Sequence, residues 1–472
     1  LFSKVSHLRR YILAGCLALI SFGGVAQVSL YLPLNQNRII ESDIEKLITI
    51  TSAPGMKRPY PVTQVRHYAE MITEVYPALY KRIDSYLKRY EQNLALTDAN
   101  LELSVGNGEQ SIANARGQKV EDNIQGSFRG HWRATDWAAL SLGAHYTQAN
   151  QLNPTETFVA LGFDWMQLDV GMREHWYSPF NDSSMLMSTH AQVSPSITLS
   201  NSKPLTSWRF QYEIFYSKLE EVDCINVKGE CRKDRPELIS YQITAMPVDW
   251  WQIGFSRNFQ YGGDGVNRSF GDIVEALFCP TCVQHNEAGE DAWGNQQMAI
   301  HSRFNVDVGQ PMSIYFEYGG EDIAIGRDNR LGNITFGAGV YLPLLTEQSS
   351  LRLEWNSWQS QWYNHWMYRN GFTNNGNVMG HWGGGNRKDI NEAPGAHAFS
   401  FQYQYTLSNQ EQLFSTLRFI KNEEHYSDYS LGYELDMMYG FKLFGQNVTA
   451  GFLAGRDTSK DSYGRLYAQY HL

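Results

Sequence analysis

No apolar run in this chain reaches the ~18 residues that a membrane-spanning helix requires, which argues against a helical membrane protein. Positive charge is in short supply: 39 Lys and Arg stand against 49 Asp and Glu, giving a net charge of −10. No concentrated basic stripe appears, so nucleic acid is not an expected partner. Catalytic motifs are missing too. There is no G-x-S-x-G, no H-E-x-x-H and no phosphate-binding glycine loop, and Glu423-Glu424-His425 reads as solvated loop charge rather than a metal site. No enzyme, cofactor or metal is therefore expected.

Cysteine is scarce, with five in 472 residues. Beyond Cys16, the remaining four are Cys224, Cys231, Cys279 and Cys282. An even number in an exported chain predicts disulfides, and local pairs Cys224–Cys231 and Cys279–Cys282 are the simplest of three pairings. Cys279-Pro-Thr-Cys282 also has redox or half-zinc spacing. A redox site would need a thioredoxin-like helix start, and zinc would need two further ligands; neither is evident.

Export is predicted by the N-terminus. Lys4, Arg9 and Arg10 precede an apolar stretch from Tyr11 to Phe22, and Gly24-Val25-Ala26 supplies small residues for cleavage before Gln27. Leu13-Ala14-Gly15-Cys16 matches a lipoprotein box, but the apolar stretch runs well past Cys16. The expected organisation is a signal peptide over 1–26, a helical bundle over 27–96 and a barrel over 97–472.

From about Leu101 to Leu472 the dominant pattern is alternation of apolar and polar residues at every second position, the period of a β-strand. In 429–441, Leu431, Tyr433, Leu435, Met437, Tyr439 and Phe441 share one face. Ser430, Gly432, Glu434, Asp436 and Gly440 share the other, with Met438 the exception. Aromatics make up 14% and glycines number 40, while mean hydropathy is −0.42. A transmembrane barrel tolerates that negative value because it shows lipid only half of each strand.

Strands are predicted near 99–107, 122–134, 136–148, 156–165, 165–174, 191–200, 206–218, 238–247, 250–259, 296–307, 311–321, 331–343, 348–358, 396–406, 411–421, 426–441, 446–457 and 462–472. That is eighteen, and loop parity checks the count. Connections after even-numbered strands are short. All the long ones, 174–190, 219–237, 260–295 and 359–395, follow odd-numbered strands, as extracellular loops do. Alternation up to Leu472 resembles the C-terminal signal read by barrel-assembly machinery.

Between Glu41 and Tyr90 the period turns helical. Ser42 is the expected N-cap of a first helix with Ile44, Leu47 and Ile48 on one face; Pro61 and Pro77 open a second and a third. A bundle of this size stabilises itself poorly, so it is expected to dock on or into the periplasmic opening. The fold class is thus an all-β transmembrane barrel of eighteen antiparallel strands behind a small periplasmic α-helical bundle.

The inward parity holds Gln167, Asp169 and Arg173; Arg209, Gln211 and Glu213; His301, Arg303, Asn305 and Asp307; and Arg352, Glu354 and Asn356. Both charge signs suit either an internal network or a channel. The segment 355–395 gathers Trp355, Trp358, Trp362, Tyr363, His365, Trp366, Tyr368 and Trp382. Aromatic rings stack on sugar C–H faces, while Asn and His hydrogen-bond hydroxyls. Trp355 has lipid-facing parity and belongs to an interfacial belt. Trp176 and Tyr177 repeat the mixture. Candidate ligand-binding residues are Trp176, Tyr177, Trp362, Tyr363, His365, Trp366, Tyr368 and Trp382. Lys228, Arg232, Lys233 and Arg235, or Arg387 and Lys388, would suit an acidic glycan.

Three blocks resemble the capsule-assembly Wzi family. They are Leu30-Tyr31-Leu32-Pro33-Leu34 with the helices after it; Glu174-His175-Trp176-Tyr177-Ser178-Pro179-Phe180 through Ser194-Pro195-Ser196-Ile197; and Glu354-Trp355 through Tyr363, Tyr368 and Met379-Gly380-His381. Where that family often has Trp-Gly-Pro, this chain has Trp176-Tyr177-Ser178-Pro179. The resemblance implies an outer-membrane lectin of a Gram-negative bacterium that holds capsular polysaccharide without catalysis. Implied partners are that polysaccharide, outer-membrane lipid and lipopolysaccharide, and the assembly machinery, with the protein a monomer. The alternative from the residues alone is a diffusion channel for sugars or anions.

Overall fold

The computed structural model describes residues 27–472 except 150, 267, 279–293, 324–330, 388–391, 409–410, 424–427 and 472. The expected signal peptide, Cys279 and Cys282 lie outside the described residues. The alternating region closes into an antiparallel barrel of eighteen strands, from Leu94–Asn107 to Ser462–His471. The first and last strands zip together from Asn100↔His471 to Asn107↔Gly464. A short strand, Gln151–Asn153, only prolongs the ladder of Ala138–Thr147.

Two faces separate as the alternation predicts. Leu168 and Val170 point outward, while Gln167 and Asp169 are buried inside. Met438 joins Glu434 and Asp436 on the inner side; it lines an internal cavity beside Arg38 and Ile39. Outward aromatics form two girdles. Trp132, Trp137, Trp208 and Trp250 mark the periplasmic level; Tyr146, Tyr216, Tyr318, Trp355 and Tyr433 mark the outer level. No helix among the described residues is long and apolar enough to cross a membrane. The protein is an outer-membrane barrel that crosses with strands.

Two strands are shorter than their pattern. The strand expected over 191–200 spans only Ser196–Ser200, because the preceding residues turn into the lumen. The one expected over 206–218 spans Gln211–Lys218: Thr206 and Arg209 adopt φ of 62° and 49°, and Leu205 and Phe210 close a tight turn. Arg209 consequently leaves the inner face and pairs with Asp249 at the periplasmic edge.

Three helices precede the barrel: α1 (Arg38–Ile50), α2 (Val62–Glu70) and α3 (Pro77–Leu87). Pro61 and Pro77 open α2 and α3 as expected. The cap of α1 is Asn37, not Ser42. The Asn37 side chain accepts from the Ile39 and Ile40 amides, and the Glu41 carboxylate reaches back to the amides of Asn35, Gln36 and Asn37. Ser42, one turn in, bonds Gln404 of the wall instead. Ile44, Leu47 and Ile48 join Val65, Ile83 and Leu87 in one apolar core.

That core lies against and inside the barrel. Arg38 pairs with Asp436, Arg303 donates to Thr49, and Gly55 donates to Gln252. From the outer side the segment 174–195 also folds inward. The two meet in a two-residue ladder, Lys57↔Tyr177 and Arg58↔Trp176. The lumen is filled from both ends.

Candidate functional site

The inward-folded segment is held by charge. Glu213 on the wall accepts from Arg173 at 2.6 Å, His175 at 2.7 Å and the Tyr177 hydroxyl at 3.0 Å. Trp176 is buried under the Arg58 guanidinium, 4.7 Å above its ring. Trp176 and Tyr177 are therefore brought together deep in the lumen, away from solvent.

Residues 359–387 form the lid above. Trp362 is fully buried and its carbonyl accepts from Gln297. The Tyr363 hydroxyl donates to the Met185 carbonyl at 2.6 Å and accepts the His381 amide at 2.7 Å. Tyr368 is buried as well; it bridges Ile225 and donates to the Gly262 carbonyl. These three aromatics tie the lid together.

Of the remaining candidates Trp366 faces outward, while His365 and Trp382 are half-buried. Trp366 is 47% exposed, with the His365 ring 5.5 Å away and Asn226 donating to its carbonyl. Asn226 lies in a hairpin, Val222–Val227 with Glu230–Asp234, closed by the Cys224–Cys231 disulfide. That local pairing matches the simplest expected one. Asn226 itself was not legible as a site residue, although the paired cysteines marked its hairpin.

Trp382 lines a cleft with Gln110, Ser111, Asn386, Arg456 and Tyr463. Its indole donates to Asp182 at 3.2 Å, and Asp182 in turn holds Arg418 at 2.8 Å. Arg418 also reaches Glu434 on the wall. Burial pushes the Asp182 carboxyl up, but the facing Arg418 guanidinium outweighs it and holds the group below the usual carboxylate range. Burial drives the neighbouring His381 down to about 3 and His190 to about 4, so both are neutral at pH 7.

Beneath Asp182 and Arg418 two polar cavities of about 110 and 120 Å³ lie between plug and wall, both touching Asn35, Arg38 and Asn114. Their lining mixes amides, among them Gln125, Gln402 and Gln404, with charged groups such as Glu102, Arg352 and Arg418. Each is large enough to hold several water molecules. Among the described residues no group of three His, Cys, Asp or Glu side chains is placed to hold a metal ion.

The model of the family described as capsule assembly protein Wzi matches residues 97–450. The chain belongs to the Wzi capsule assembly family. Among solved structures, an outer-membrane protein of Escherichia coli, Wzi, described as involved in group 1 capsule assembly and as a carbohydrate-binding β-barrel, superimposes with a TM-score of 0.70. The match covers 95% of this chain and 99% of that one at 13% identity, which shows a shared fold. An uncharacterized 55.8 kDa protein in the cps region of Klebsiella pneumoniae is 23% identical over 192 residues, 38% of this chain and 35% of that protein. The match thus spans about a third of that relative's length. In this Wzi-family chain the central block Glu174–Phe180 forms the middle of the plug, and the block that starts at Glu354 begins on the wall and continues into the lid.

Proposed function

We propose that this protein binds capsular polysaccharide at the outer-membrane surface and so attaches or helps to assemble capsule, by binding and without catalysis. Family membership supports the process, and the Escherichia coli relative is itself described as carbohydrate-binding. The observation that carries the reading is the filled lumen beneath an exposed aromatic face at Trp366 and a half-buried one in the cleft at Trp382. With the interior occupied by buried ion pairs, a polymer has access to the loops from outside alone. Trp366 with His365 and Asn226, and Trp382 with Asn386 and Gln110, offer ring faces beside amide and imidazole hydrogen-bonding groups. The buried Trp176, Tyr177, Trp362, Tyr363 and Tyr368 serve as supports that fix those loops. Lipopolysaccharide and lipid contact the girdled wall, barrel-assembly machinery inserts the chain, and a monomer is sufficient.

The test is binding of the organism's own capsule to purified protein. Trp366→Ala and Trp382→Ala should each weaken binding several-fold, with heat-modifiable gel mobility unchanged. Deleting the gene should release capsule into the medium while synthesis continues; unchanged cell-associated capsule would overturn the reading. The channel alternative has less support, because the lumen is filled.

A further inference from the structure

One stretch of the lipid-facing wall is covered by the chain itself. On strands Glu237–Val248 and Trp251–Tyr261 the outward parity begins with Ile243 and Ile253, both open to lipid. Four to eight residues further up, the same parity holds Ile239, Arg257, Phe259 and Tyr261, all buried. The cover is the hairpin Val222–Val227/Glu230–Asp234, Met367 and Tyr368 of the lid, and a helix, α4 (Phe270–Phe278). Arg257 donates to the carbonyls of Ala276 at 2.7 Å and Leu277 at 3.1 Å, and Tyr241 donates to Leu277 at 3.2 Å. A cation on the outer wall thus satisfies the last-turn carbonyls of α4.

The residues of α4 divide into three directions at ~100° per residue. Ile273, Ala276 and Leu277 pack on the wall. Phe270, 81% exposed, and Val274, 36% exposed, continue the same apolar arc on its free side. Asp272 and Glu275 lie opposite, in solvent. The level is fixed by the ladders. Arg257 pairs with Met298, and one two-residue step below, Ile300 pairs with both Phe255 and Tyr318 of the outer girdle. The helix therefore lies along the barrel at the upper membrane boundary.

We propose that α4 is an interfacial helix whose Phe270–Val274 edge enters the acyl-chain boundary of the outer leaflet. Three observations favour lipid as occupant: the arc is continuous with a lipid-facing wall, it lies one ladder step above an aromatic girdle, and its acidic side points away. The helix thereby moors the lid loop and the disulfide hairpin to the membrane surface as well as to the barrel.

Site-specific photo-crosslinking in whole cells tests this, using the full chain with benzoylphenylalanine at position 270 or 272. The probe at 270 should give an adduct recognised by lipopolysaccharide antibody, at least five-fold stronger than the probe at 272. Equal adducts, no adduct at 270, or an adduct to a second copy or to another protein would overturn the proposal. Heat-modifiable mobility verifies folding; if the 270 variant fails it, the probe at 274 takes its place with the same expected result.

Discussion

Lys57 and Tyr177 face each other across a two-residue antiparallel ladder in the middle of the barrel, although one arrives from the periplasm and the other from the cell surface. The N-terminal plug and the inward-folded segment 174–195 are therefore one assembly, and Tyr177 connects it to the wall through Glu213.

Glu213→Leu would leave Arg173, His175 and Tyr177 without their shared acceptor. Stranding buried partners in this way costs about 3–5 kcal/mol. The gel-mobility transition on heating should fall clearly for this variant. Lys203→Met, which breaks the exposed pair with Asp164, should shift it little, since such pairs contribute ~0–1 kcal/mol.

Arg418 on the wall holds Asp182 of the plug at the edge of one of the two internal cavities. In planar bilayers the native protein should be silent. Arg418→Met should produce flickering currents as the Asp182 side of the plug loosens. Steady silence of the variant would mean that the Tyr363 and Arg58 contacts hold the plug alone.

Acidification should loosen the lid. His190 and His381 are driven by burial from an ordinary 6.5 to about 4 and about 3, so the opened loop binds more protons than the packed one. The packing is strongest above 6.5 and weakens as pH falls through that window. Asp182 has the same sign at lower pH, being held below its ordinary 3.8. Hydrogen exchange over 183–191 and 379–386, corrected for intrinsic rates, should show protection at pH 7 that is largely lost by about pH 4.

Cys224→Ser with Cys231→Ser removes the tie of the hairpin beneath Trp366. Loop closure predicts a loss of about 2–3 kcal/mol that acts on the hairpin locally. Glycan binding should weaken while the barrel's heat transition hardly moves. A large fall in that transition would show that the hairpin also buttresses the wall.

How far the sequence could be read depended on how local each signal was. Alternation, loop parity and the Pro61 and Pro77 helix starts are properties of neighbouring residues, and they carry the strand count and most of the helix positions. Cys224 and Cys231 were close enough to pair on spacing alone. The inward fold of 174–195 has no local period. It depends on partners such as Arg58 and Ser178, 120 residues apart. For the same reason the loop aromatics could be gathered but not sorted. Nothing near Trp362 and Trp366 distinguishes a buried ring from an exposed one until the hairpin and the lid are in place. At α1, Asn37 and Ser42 are equally good caps by type, and the reach of Glu41 to the preceding amides decides between them.

The seam between Leu94–Asn107 and Ser462–His471 joins the two ends of the barrel sequence, and Arg465 on it donates inward to the carbonyls of Lys119, Val120 and Asp122. The seam strand Ser462–His471 is thus fastened to a loop that lies against its inner face. Parting the barrel at this seam would also break its hold on part of its own filling.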